Sequence, residues 1–136
     1  MSNPKILYVE DHQGNIYVMQ NRLKRWGYET VVAMDGQSAL AMARTQKPNL
    51  ILMDLQLPGI DGLEATRQIK ADPETEGIPV IAVSAFAMYD DRVKALEAGC
   101  DGYFSKPVDF HDFVNAIKEL GVFWAVINEP PPLVGK

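Results

Sequence analysis

At 136 residues, with 47% hydrophobic and 23% charged residues, the chain has the size and composition of one water-soluble domain, able to close a core without disulfides or a structural metal. A net charge of −5 and no cluster of Lys and Arg argue against direct nucleic-acid binding, which needs concentrated positive charge to meet phosphates. The single cysteine, Cys100, cannot form an internal disulfide and is expected as a small, buried or half-buried residue.

The chain opens on Met1-Ser2-Asn3-Pro4-Lys5 and runs into an apolar stretch too short for a signal-peptide core, so a cytoplasmic location and no membrane association are expected. That stretch, Ile6 to Val9, reads as a first strand. The stripe Ile16, Met19, Leu23 and Trp26 has helical spacing, and Gly27 follows as its stop signal. Further apolar, β-branched runs stand at Thr30 to Ala33, Leu50 to Met53, Val80 to Val83 and Gly102 to Phe104. In the last helix Asp109 is the expected N-cap, and Phe110, Phe113, Ile117 and Leu120 share a face before Gly121. Strands that alternate with helices of this length indicate βαβ units, hence an α/β fold with a parallel sheet covered on both faces and right-handed crossovers.

In open sheets of this kind functional groups collect at the carboxyl ends of the strands. Those ends carry Glu10 and Asp11, then Asp54, Ser84 and, just beyond the fifth strand, Lys106. If the topology brings Glu10, Asp11 and Asp54 together, each pair repels by about 4 kcal/mol at ~4 Å and an effective dielectric near 20. A hard divalent cation with oxygen ligands resolves the conflict, and Mg²⁺ suits a site of few carboxylates plus water and phosphate oxygens. Asp11 and Asp54 are expected as direct ligands and Glu10 mostly through water. His12 and His111 lie far apart, without cysteine neighbours, so zinc is not expected and both histidines should be surface residues.

An aspartate is ionised at neutral pH and needs no general base before it attacks phosphorus. Asp54 can therefore be a nucleophile, with Mg²⁺ and Lys106 offsetting the repulsion between two anions. The Ser84 hydroxyl can donate to a phosphoryl oxygen once that oxygen exists, which makes the modification a conformational switch. Tyr103, three positions before Lys106, is placed to turn inward as Ser84 moves.

Taken together, Ile6-Leu7-Tyr8-Val9-Glu10-Asp11, Leu50 to Gly62 with Asp54-Leu55-Gln56-Leu57-Pro58-Gly59, Val83-Ser84-Ala85 and Tyr103-Phe104-Ser105-Lys106-Pro107 resemble the receiver domain of two-component response regulators, over about residues 5 to 120. The resemblance implies a doubly wound, flavodoxin-like sheet of five parallel strands in the order 2-1-3-4-5. It implies a signalling switch rather than an enzyme, one that assists its own Mg²⁺-dependent phosphorylation and dephosphorylation. Asp54 would be the phosphoacceptor for a histidine kinase or histidine phosphotransfer protein, and the Gln56 backbone carbonyl would complete the Mg²⁺ ligands. Lys106 would pair with the phosphoryl group, and Pro107 is a candidate for a cis peptide bond. Gln56 and Phe86 occupy positions that tune how water reaches the acyl phosphate, and Gly59 and Gly62 suit the turn after Asp54. Ser84 stands where threonine is commoner, with the hydroxyl retained. A downstream protein target is expected at the face of the fourth helix, fifth strand and last helix.

The receiver domain is expected to span residues 1 to 121, and residues 122 to 136 to form an extension. Within it Phe123, Trp124, Val126 and Ile127 read as an apolar, strand-like arm, expected to pair across a homodimer, before the stiff Pro130-Pro131-Pro132. A phosphatase of the haloacid-dehalogenase type also uses a nucleophilic aspartate and Mg²⁺. It needs a second acid two positions later, where this chain has Gln56. A nucleotide or flavin module is disfavoured by the acidic residues after the first strand, where a glycine-rich phosphate loop would stand.

Overall fold

The apolar runs form five strands in the computed structural model, which describes residues 4–57, 59–84, 89–105, 108–109, 111–113 and 115–116. These are β1 (Lys5–Val9), β2 (Glu29–Ala33), β3 (Leu50–Asp54), β4 (Val80–Ser84) and β5 (Gly102–Ser105). Four helices alternate with them: α1 (Gln13–Arg25), α2 (Gly36–Gln46), α3 (Gly62–Ala71) and α4 (Tyr89–Ala98). Residues 111–113 and 115–116 are helical again. All neighbouring strands are parallel, in the order β2-β1-β3-β4-β5. This is the expected doubly wound sheet.

Every residue of β3 and β4 is buried, as a central strand covered on both faces requires. Side chains alternate between two cores. Ile6 and Tyr8 of β1 join Ile16, Met19 and Leu23 of α1, together with Phe113, while Leu7 and Val9 join Ala39 and Ala43 of α2 and Ala65 and Ile69 of α3. This alternation places Asp54 on the α1 side of the sheet and Ser84 on the other.

Local signals set the helix boundaries. Gly27 adopts φ +87°, and the Tyr28 N–H reaches back to the Leu23 carbonyl at 3.0 Å, closing α1 with the left-handed residue that only glycine adopts without strain. Trp26, expected on the buried stripe, is the half-buried C-cap residue and packs at the edge of the core. Asp109 accepts from the Asp112 N–H at 3.1 Å, the expected capping contact, and Phe113 is fully buried. Phe110, Ile117, Leu120 and Gly121 lie outside the described residues.

Strands β3, β4 and β5 run one residue further toward their carboxyl ends than the sequence pattern indicates, whereas β1 and β2 end as expected and begin one residue earlier. Asp54 pairs with Val83 and Ser84 with Ser105, so both candidate site residues are terminal members of strands rather than loop residues. Their backbones are therefore held by the sheet ladder.

Candidate functional site

At the carboxyl edge of the sheet, β1 delivers Glu10 and Asp11 and β3 delivers Asp54. One carboxylate oxygen from each lies within 4.8 Å of the other two. Glu10 and Asp54 are 1% and 2% exposed, whereas Asp11 faces solvent. The donor set is all oxygen and open on one side, which fits a hard divalent cation that retains water. The expected juxtaposition of these three acids is present.

Asp54 is oriented by its own loop. The Gln56 N–H donates to Asp54 Oδ1 at 3.0 Å, and the chain then turns through Gly59 at φ +73°. Gly62 opens α3 directly beneath, where a Cβ would run into the Asp54 carbonyl oxygen and sit 2.9 Å from Leu55 Cα. Gly62 thus permits a close approach of helix to strand, a different task from the turn expected of it. The helix start is capped by Asp61, whose Oδ1 accepts from the Glu64 N–H at 2.9 Å.

Ser84 is fully buried at the end of β4. Its hydroxyl accepts from the side-chain amide of Gln56, Nε2 to Oγ 3.2 Å. Gln56 therefore connects the acid of β3 to the hydroxyl of β4, its backbone holding Asp54 and its side chain holding Ser84. Sequence reasoning assigned Gln56 a place beside the acyl phosphate but did not find this bond, because it joins residues 28 positions apart. Tyr103 is half-buried, on the same sheet face as Ser84, beside Ala82 in the β4–β5 register.

Glu10 has a set of partners that the sequence reading missed. The Tyr8 hydroxyl donates to its Oε1 at 2.9 Å and Asn15 Nδ2 donates to the same oxygen at 3.3 Å, while the His12 N–H reaches Oε2 at 3.3 Å. Burial, reinforced by the charge of Glu10, pushes the Tyr8 hydroxyl far above the usual phenol range, so it serves as a permanent donor. The available signal was positional: Glu10 directly follows β1, and on extended backbone a residue two positions after Tyr8 points to the same face. His12 is exposed, as expected, and its Nδ1 caps α1 by accepting from the Asn15 N–H at 3.3 Å.

Lys106, Pro107 and Phe86, and the arm residues Phe123, Trp124, Val126 and Ile127, lie outside the described residues. Among the described residues no helix is long and apolar enough to cross a membrane.

The family model for the response regulator receiver domain matches residues 6–118. The polar-differentiation response regulator DivK of Brucella anthropi is 43% identical over 113 residues, covering 83% of this chain and 92% of its own. A Chloroflexus aurantiacus J-10-fl protein described as a response regulator superposes with a TM-score of 0.83 at 26% identity, over 88% of this chain and 98% of that one. The receiver domain of a sensor histidine kinase from Pseudomonas aeruginosa PAO1, whose active-site cleft holds a coordinated magnesium ion, superposes with a TM-score of 0.75 at 33% identity, over 94% and 100% of the two chains.

Proposed function

This chain belongs to the response regulator receiver domain family, and we propose that it accepts a phosphoryl group on Asp54 beside a bound Mg²⁺ and uses the modification to signal to a partner protein. The observation that carries the reading is the meeting of Glu10, Asp11 and Asp54 within 4.8 Å, with Ser84 brought beside them by Gln56.

Asp11, Asp54 and the Gln56 backbone carbonyl would hold the metal directly, and Glu10 through water. Bound there, Mg²⁺ supplies the positive charge that offsets the repulsion between a carboxylate and a phosphoryl group. The Gln56 N–H orients the Asp54 carboxylate, and an Asp54 oxygen then attacks phosphorus in line. The new O–P bond forms as the bond from phosphorus to the donor's imidazole nitrogen breaks, and that nitrogen keeps the electron pair. The donor is a histidine kinase or a histidine phosphotransfer protein. Lys106 pairs with the transferred group.

The Ser84 hydroxyl is held by the Gln56 amide. The hydroxyl accepts in that bond, so when a phosphoryl oxygen on Asp54 offers a charged acceptor the hydroxyl turns its own proton toward it. Movement of Ser84 frees space on the face it shares with Tyr103, and the ring follows, altering the surface near α4 and β5. The haloacid-dehalogenase alternative lacks its general acid, because the residue two positions after Asp54 is Gln56. Residues 1 to 121 form the receiver and residues 122 to 136 an extension whose apolar arm joins two copies of the chain in the cytoplasm. Truncation at residue 121 should then halve the mass seen by light scattering.

The central test is chemical. Incubation with acetyl phosphate should label the chain only when Mg²⁺ is present, and Asp54→Asn should abolish the label. Undiminished labelling of that variant would move the acceptor elsewhere.

A further inference from the structure

Tyr8 is 1% exposed, and its ring belongs to the core formed with Ile6, Ile16, Leu52 and Phe113. A phenylalanine would supply the same packing, so the hydroxyl is the part of Tyr8 that the core does not need. That hydroxyl ends 2.9 Å from Glu10 Oε1. Asn15, from the first turn of α1, reaches the same oxygen, so donors from two elements converge on one carboxylate atom.

We infer that Tyr8 is a positioning residue for the metal: its hydroxyl holds the Glu10 carboxylate turned toward Asp11 and Asp54, and thereby sets the affinity of the site for Mg²⁺. The inference rests on the reading of the site given above. Its physical basis is a conflict between like charges. Glu10 lies within 4.8 Å of two other carboxylates, and repulsion favours any rotamer that takes it away from them. A rigid donor anchored in the core opposes that rotation. Because its ring is packed, the hydroxyl contributes orientation without losing side-chain freedom when the metal binds.

Outer partners of metal-binding groups typically change metal affinity 10- to 100-fold when removed. Asn15 and the His12 N–H remain in Tyr8→Phe, so the lower end, a rise of about tenfold in Kd, is expected. The test is a Mg²⁺ titration of the full chain, followed by amide NMR shifts, on the wild type, Tyr8→Phe, Glu10→Ala and the double variant, with melting temperatures recorded in parallel. If Tyr8 acts through Glu10, adding Tyr8→Phe to Glu10→Ala, which removes the acceptor, changes Kd by less than about twofold. An equal loss in both backgrounds, or a Tyr8→Phe chain that does not fold, would overturn the inference, since the hydroxyl would then serve the fold at large. A wild type that binds Mg²⁺ and a Tyr8→Phe variant that binds it equally well would sink this inference alone. Failure of the wild type to bind Mg²⁺ would remove the site reading as well.

Discussion

Asp54→Asn separates charge from shape at the centre of the site, and the structure predicts a gain in stability without metal that Mg²⁺ binding to the wild type cancels. One oxygen of Glu10 and one of Asp54 lie within 4.8 Å, and both residues are almost fully buried. At that separation and an effective dielectric near 20, the pair repels by roughly 3.5 kcal/mol. Asparagine keeps an oxygen that can accept from the Gln56 N–H, now 3.0 Å from Asp54 Oδ1, but the bond loses its charge assistance, returning about 1 kcal/mol. The metal-free variant should therefore be more stable than the wild type by roughly 2.5 kcal/mol. Adding Mg²⁺ at ~100 times its Kd should raise the wild type by about 2.7 kcal/mol and leave the variant nearly unchanged. Urea denaturation with EDTA and then with Mg²⁺ measures both differences. If Asp54→Asn proved less stable than the wild type in EDTA, the premise that the three acids are held together against their own repulsion would be wrong.

Two further substitutions probe the packing of the fold, the first of them directly beneath the site. Gly62→Ala puts a methyl group against the Asp54 carbonyl and Leu55 Cα, and backbone cannot yield as a side-chain tip can. A loss of about 1–3 kcal/mol is expected, read as a lower urea midpoint with unchanged m-value, together with weaker Mg²⁺ binding. A variant at least as stable as the wild type would show that α3 does not press on β3. Burial pushes the Cys100 thiol up to about 11 from its ordinary value of 9.0, so above pH 9 the unfolded chain releases a proton that the folded chain keeps. The stability from this group is complete below the unfolded value and declines by up to about 1.4 kcal/mol per pH unit as pH rises toward the folded one. Unfolding measured at pH 8, 9 and 10 should show that decline in the wild type and a shallower one in Cys100→Ala, whereas parallel slopes would refute the burial argument.

Local chemistry made much of this protein readable before any coordinates. Apolar runs such as Leu50 to Met53 announce strands because central strands are covered on both faces, and Gly27 announces a helix end because only glycine enters the left-handed region freely. Placing Asp54 and Ser84 at strand ends followed from the same patterns, since α/β crossovers bring successive carboxyl ends to one edge. The strand order itself was supplied by resemblance to the receiver family, because alternation of strands and helices does not state which strands are neighbours.

What tertiary structure alone decided are the contacts that cross the chain or depend on exact reach. Tyr8 reads in sequence as one more apolar strand residue, and nothing local says that its hydroxyl finds Glu10. Gln56 and Ser84 meet only because β3 and β4 are adjacent and in a particular register. Gly62 reads as a turn glycine, yet the structure uses it where a helix start presses on a strand. Propensity and periodicity are properties of a few consecutive residues, whereas a hydrogen bond between elements depends on packing distances that every other contact in the core helps to set.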